Sequence, residues 1–299
     1  MSDSPGPPQS GFNDNHGAAA SDDPTTDVSA LDSSALTIAP LARPAEDTRY
    51  PRIGMSRGSA AVDLFLVVAL LLSTYQALFL LDIPQRIQDF APVLGFLWIN
   101  VLIGTVSLAI VAVVLLGRRQ GAASVGLTKT SAGKTVGLAL AAVPACYAAH
   151  VTAVTLFLTL TGQTFEDLIV ERAAFFEEIP SVPPLIAVAF SLFVGVHEEV
   201  LFRGFILGRF RALFRSTPAA VIVSSILFGI LHGYQGMIGV VQTTTVGLIL
   251  AIVAARYRTI WPVILAHGLF DAISLVLIPL IGDEIQEFAR QLTTTQATN

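Results

Sequence analysis

The chain has 299 residues, 53% of them hydrophobic and only 13% charged, with a net charge of −5 and a mean hydropathy of +0.69. A soluble globular chain carries about 25% charged residues, so this composition excludes a water-soluble globule. It also excludes nucleic-acid binding, which needs a dense basic cluster that the sequence lacks.

In chain order, residues 1–57 are rich in Ser, Asp, Pro, Gly and Ala and show no apolar periodicity. Such a segment cannot bury enough surface to offset its ordering entropy. The start MSDSPGPPQS has neither a basic region nor an early apolar run, so a disordered, acidic, cytosolic tail is expected and a cleavable signal peptide is not.

Seven apolar blocks follow, at roughly residues 60–81, 92–116, 136–161, 184–207, 218–231, 236–255 and 260–281. A bilayer core about 30 Å thick needs about 20 helical residues to cross it. The fifth block is short. It predicts a tilted span, an earlier start near Leu213, or half of a re-entrant hairpin with the sixth. The expected fold is an all-α, polytopic transmembrane bundle of seven to eight spans. It divides into the tail 1–57, N-terminal transmembrane helices 58–183, a second helical set 184–282 that carries the polar residues, and a C-terminal tail 283–299. The single cysteine, Cys146, lies in the third block; it has no disulfide partner and reads as a small hydrophobe.

Charge sets the orientation. With the N-terminus in the cytosol, that side receives Arg43, Arg49, Arg52 and Arg57, then the basic residues of 118–134, 209–215 and 256–258. The other side receives only Arg86, Arg172 and Arg290, and its loops are acidic, with Glu166, Asp167, Glu171, Glu177 and Glu178 in one of them. This is a positive-inside pattern with the C-terminus outside.

An ionisable group at bilayer depth costs about 2.5–3.5 kcal/mol on insertion scales and is by default a functional-site candidate. Asp63 lies at the cytosolic end of the first block, where it is expected to reach the headgroups. His150, alone in the third, reads as a neutral histidine with one hydrogen-bond partner. The final third is different: it holds His197-Glu198-Glu199-x-x-x-Arg203, then Phe228-x-x-x-His232, then His267-x-x-x-Asp271.

Residues four apart share a helix face. Glu199 and Arg203 therefore form an internal ion pair, while Glu198, about 100° around the helix, is left free to act as a base. His267 and Asp271 form a second pair, in which the carboxylate orients the imidazole. Phe228 places an aromatic wall beside His232. His197 reads as a polar lining residue. Gly195, Gly204 and Gly229 mark close helix approaches. Each pair alone fits a plain packing role; Glu198, His232, His267 and Asp271 at membrane depth on separate helices do not.

These three patterns, in this order on successive apolar helices from 184 to 281, resemble the CPBP family of CAAX proteases and bacteriocin-processing proteins. That family is similar in fold to the type II CAAX prenyl endopeptidase. The resemblance implies an intramembrane endopeptidase that hydrolyses a peptide bond with an activated water. Glu198 would be the general base, His232 its partner on the water, and His267 and Asp271 the oxyanion-stabilising positions, with Glu199 and Arg203 in support. Asp271 departs from the Asn frequent in the family. It can donate to an oxyanion only when protonated, so it is expected to orient His267 or bind a metal.

The spacing lacks a compact H-E-x-x-H, which leaves a divalent metal such as zinc open, with His232, His267 and Glu198 as its candidate ligands. The expected surroundings are membrane lipids and a peptide or protein substrate in or near the membrane, with the bacterial inner membrane as the location. Two readings compete: a non-catalytic protein of the same fold serving bacteriocin immunity or as a scaffold, and a proton-coupled transporter, which would require repeats that the first three blocks do not show.

Overall fold

The computed structural model of the chain describes residues 55–92, 94–177 and 181–298; the expected disordered tail lies, up to residue 54, outside the described residues. Every described element is helical. Five helical stretches are long and apolar enough to cross a membrane: Arg57–Leu80, Gly95–Gly117, Ala132–Thr161, Pro184–Phe214 and Gly233–Tyr257. Two shorter apolar helices, Thr217–Ile230 and Trp261–Leu277, complete the set of seven blocks. Large apolar side chains such as Phe65, Phe79, Leu116 and Leu160 lie exposed on the outside. They face lipid rather than water, so the chain is an integral, multi-pass membrane protein.

The helices start where sequence supplies caps. Before α1 (Arg57–Leu80), α4 (Ala132–Thr161) and α8 (Thr217–Ile230), the hydroxyls of Ser56, Ser131 and Ser216 accept from the backbone N–H of Ser59, Lys134 and Ala219. α3 (Gly95–Gly117) follows a short amphipathic α2 (Ile83–Phe90). A second helix outside the seven blocks, α5 (Phe165–Glu177), occupies the acidic segment after α4. It begins where Asp167 accepts from the backbone N–H and hydroxyl of Thr164, contacts that also hold the Asp167 carboxyl below its ordinary range. Polar sequence with a good cap thus makes a helix where apolar periodicity alone reads as a loop.

α6 (Pro184–Glu199) runs into a π-helical segment, Val200–Ile206, and on into α7 (Leu207–Phe214). α8 follows. A single 3₁₀ turn, Gly233–Gln235, leads into α9 (Gly236–Tyr257), and α10 (Trp261–Thr298) closes the chain. The stretch 283–298, within the expected C-terminal tail, continues α10 beyond its apolar part. Nothing in it breaks a helix, because it contains neither Pro nor Gly after Gly282.

Two ends of the bundle are chemically distinct. At one end the loop after α3 meets the α9–α10 turn: Thr128 donates its hydroxyl to Arg258 O, Ile260 N–H donates to Gly126 O, and the Lys134 ammonium lies over the Tyr257 ring. Asp63 sits at this end, turned into the bundle. It is 1% exposed, held by Arg118 Nε at 2.7 Å and by Arg209 at 3.5 Å, and Arg209 Nη2 also donates to Gln120. Two cations arriving from α3 and α7 make burial of that carboxylate tolerable. The other end is built by α2, α5 and the turn 231–236, where Arg172 Nη1 donates to Gln235 O.

Candidate active site

Three close helix approaches set the site. A Cβ on Gly195 of α6 would lie 2.8 Å from Ile264 O and 3.0 Å from Gly268 N, so α6 and α10 touch backbone to backbone. That contact carries Glu198 and Glu199 up against His267. A Cβ on Gly229 would lie 2.7 Å from Val240 O, which presses α8 onto α9 and places His232 at the mouth between them. A Cβ on Gly204 would meet Val125 O at 2.7 Å, docking the π segment on the turn after α3.

The two glutamates end the regular α geometry of α6, and the wider π turn starts at Val200. The 100° step used for the sequence reading therefore stops at Glu199. The ion pair still forms: Arg203 Nη1 donates to Glu199 Oε1 at 2.7 Å, and both side chains are buried. Arg203 Nη2 donates to Gly247 O on α9, and its guanidinium lies 4.3 Å from the centre of the Phe228 ring. A Cβ at Gly247 would lie 2.9 Å from the Phe228 ring and 3.1 Å from Arg203 Nη2, so a larger residue would have to displace the ring.

The partner of His267 differs from the one expected. Its Nδ1 pairs with Glu199 Oε1 at 2.7 Å, whereas Asp271 Oδ2 stands 3.4 Å from Nε2. Glu199 is thus the carboxylate that orients the imidazole, shared with Arg203. Helical spacing along α10 identifies Asp271, but the α6–α10 contact through Gly195 brings a closer carboxylate from another helix.

Glu198 has no arginine partner. His267 Nε2 lies 3.7 Å from its Oε2, and His232 Nε2 and His197 Nε2 lie 3.9 Å from its Oε1. Among the described residues its buried Oε2 makes no hydrogen bond. His232 is fixed from behind, with Nδ1 2.7 Å from Phe228 O, and its ring packs 4.6 Å from that of Phe228. With Nδ1 donating to the carbonyl, Nε2 is the acceptor of the neutral ring, and it faces Glu198.

A cavity of about 540 Å³ brings Glu198, His232, His267 and Asp271 together. Phe96, Phe190, Phe228, Phe270 and Val246 supply its apolar wall. His197 does not line it. That ring is 7% exposed and packs behind Glu198 against α3, where a Cβ on Gly104 would meet it at 2.8 Å.

Several lining residues escaped the sequence reading, namely Asn100, Tyr147, Arg172, Tyr234 and Gln242. His150 does find a partner, Gln242 Nε2 at 3.0 Å. Polar Gln242 and Asn100 inside apolar blocks were the available signal.

Tetrahedral zinc ligands at about 2.1 Å from the ion lie about 3.4 Å apart, closer than the 3.7–3.9 Å around Glu198. Among the described residues no group of three or more His, Cys, Asp or Glu side chains is arranged to hold a metal ion. Around Glu198 the donors are spread more widely than the ligands of a closed zinc site.

No curated protein and no solved structure matches the chain. Residues 180–273, which carry α6, the π segment and the helices up to Asp271, match the family model described as type II CAAX prenyl endopeptidase Rce1-like. The match spans Glu198, Glu199, Arg203, His232, His267 and Asp271. In sequence pattern, helical architecture and this match, the segment 180–273 is similar to the Rce1-like type II CAAX prenyl endopeptidase family.

Proposed function

We propose that the protein is an intramembrane endopeptidase that hydrolyses a peptide bond with a water held between Glu198 and His232. One observation carries the reading. Glu198 has no arginine partner, faces three imidazoles at 3.7–3.9 Å, and lines a cavity of about 540 Å³ with an oxygen that makes no hydrogen bond among the described residues. A water about 2.8 Å from both groups would complete their hydrogen bonding.

The chemistry balances on the chain's own groups. Glu198 takes a proton from the water as its oxygen bonds to the peptide carbonyl carbon, and the carbonyl oxygen becomes an oxyanion. His267, protonated on both nitrogens, donates from Nε2 toward that oxygen and from Nδ1 to Glu199 Oε1. As the intermediate collapses, the C–N bond breaks and Glu198 returns the proton to the leaving amine. Asp271 stands beside Nε2 and completes the polar wall.

The test is a comparison of membrane-derived peptides from cells carrying wild type, Glu198→Ala or His232→Ala, with protein level and thermal unfolding measured in parallel. Both variants should fold and lose the cleavage products. Products that persist in both variants would falsify the reading. Metal analysis of active purified protein, with assay before and after a chelator, should show activity without stoichiometric metal.

A further inference from the structure

The cavity that holds Glu198 is open at one end of the bundle and sealed at the other. Its lining comes from the segments nearest the end built by α2, α5 and the 231–236 turn. Phe96 and Asn100 lie in the first two turns of α3, Phe190 in the first half of α6, and Gln242 and Thr243 early in α9.

The lining also reaches the surface there, since Tyr234 is 68% exposed. α8 explains the opening. Its 14 residues span about 21 Å at 1.5 Å per residue, less than the hydrocarbon core. The turn that follows it, with His232 and Tyr234, therefore lies at depth, and non-helical backbone at depth is tolerated where it lines a water-filled cavity.

Toward the opposite end the section is filled. Phe202, Phe205, Leu250, Ile260 and Val263 form a packed layer, each no more than 4% exposed, with the buried Arg209 beyond it. This sealed end is also the basic one. It gathers Arg57 and the basic residues of 118–134, 209–215 and 256–258, and the contacts of Arg118 and Arg209 with Asp63, and of Thr128 with Arg258, bring those loops together. Among the described residues the open end has Arg86, Arg172 and Arg290 as its basic residues, against a larger set of acids. Basic residues mark the cytosolic side of membrane proteins.

We infer that the catalytic cavity opens on the non-cytosolic face of the membrane, and that its substrate is a polypeptide segment presented from that face. This rests on the peptidase reading for the word substrate, but the side of access does not. A segment offered from the cytosol would have to cross the packed layer and the ion cluster around Asp63. One that has been translocated, or that lies at the outer surface of a membrane protein, meets an open mouth.

Cys146 is the sole cysteine, so Cys146→Ala gives a background for single-cysteine probes. Into it go Phe96→Cys and Thr243→Cys, which line the cavity outside the catalytic group, and Lys129→Cys at the basic end. A charged, membrane-impermeant thiosulfonate is applied to sealed right-side-out and inside-out vesicles, and the reagent's mass shift on the protein is read.

Both cavity cysteines should shift in right-side-out vesicles and stay unmodified in inside-out ones, with Lys129→Cys showing the reverse. Cavity cysteines modified from the same side as Lys129→Cys overturn the inference, as do folded variants that react from neither side. Labelling needs no catalysis. The expected labelling together with unchanged peptides in Glu198→Ala would sink the peptidase reading alone. Cleavage products that depend on Glu198 but map to cytosolic segments would sink the assignment of substrate.

Discussion

Glu199 carries more of the site than its place in the sequence pattern suggests. One oxygen accepts from Arg203 Nη1 and faces His267 Nδ1, both at 2.7 Å, in a side chain with no exposure. Removing one partner of a buried ion pair strands the other charge, at about 3–5 kcal/mol. Glu199→Ala should therefore lower thermal stability in detergent by about that amount and lose activity, whereas Glu199→Gln, which can still accept from Arg203, should cost less stability. Glu198 has no such partner, so Glu198→Gln should abolish cleavage with the unfolding transition nearly unchanged. Asp271 lies in the cavity 3.4 Å from His267 Nε2. An amide of the same size can donate to an oxyanion directly, so Asp271→Asn should retain cleavage; complete loss in a folded variant would assign the charge itself to the chemistry. The motif residues themselves were legible by spacing. Which carboxylate holds His267 was not, because that depends on the distance between two helices 68 residues apart in sequence.

At the scale of elements, the approach of α6 to α10 decides the distance between Glu198 and His267. Gly195→Ala would set a methyl against backbone atoms at 2.8 and 3.0 Å, and neither can rotate away. Overpacking of this kind costs about 1–3 kcal/mol. The variant should unfold at lower temperature and lose activity more than its stability loss alone explains, because the helices must separate to admit the methyl. Activity measured at a temperature where the variant is fully folded separates the two effects. The same scale holds the clearest differences from the sequence reading. α5 and the far part of α10 form in polar sequence, where the absence of an apolar block reads as loop or tail, and the π segment interrupts the wheel just past the glutamates. π geometry is rare and recurs at functional sites; no residue preference in Val200–Ile206 announces it.

For the whole molecule, polarity runs along the bundle axis. The basic end is tied by Asp63, which is 1% exposed and faces Arg118 and Arg209. Asp63→Ala leaves Arg209, itself fully buried, without its carboxylate, and should destabilise the protein by about 3–5 kcal/mol. The substitution is remote from the cavity, so a variant rescued by low temperature should cleave normally. A loss of cleavage in the folded protein would show that the sealed end communicates with Glu198.

Membrane residence, the all-helical class, the seven apolar blocks and the identity of the polar residues at depth were determined by the sequence alone. Hydropathy, helical spacing and charge count are local properties, readable without knowing what packs on what. Only the tertiary structure decided the rest. It buried Asp63 against Arg118 and Arg209, gave His267 to Glu199, and packed His197 behind Glu198 instead of beside the cavity. It also sealed one end of the site and left the other open. Each of these depends on contacts between helices far apart in the chain, made where glycine lets backbones touch. Those contacts are set by the complementarity of whole faces and not by any run of neighbouring residues.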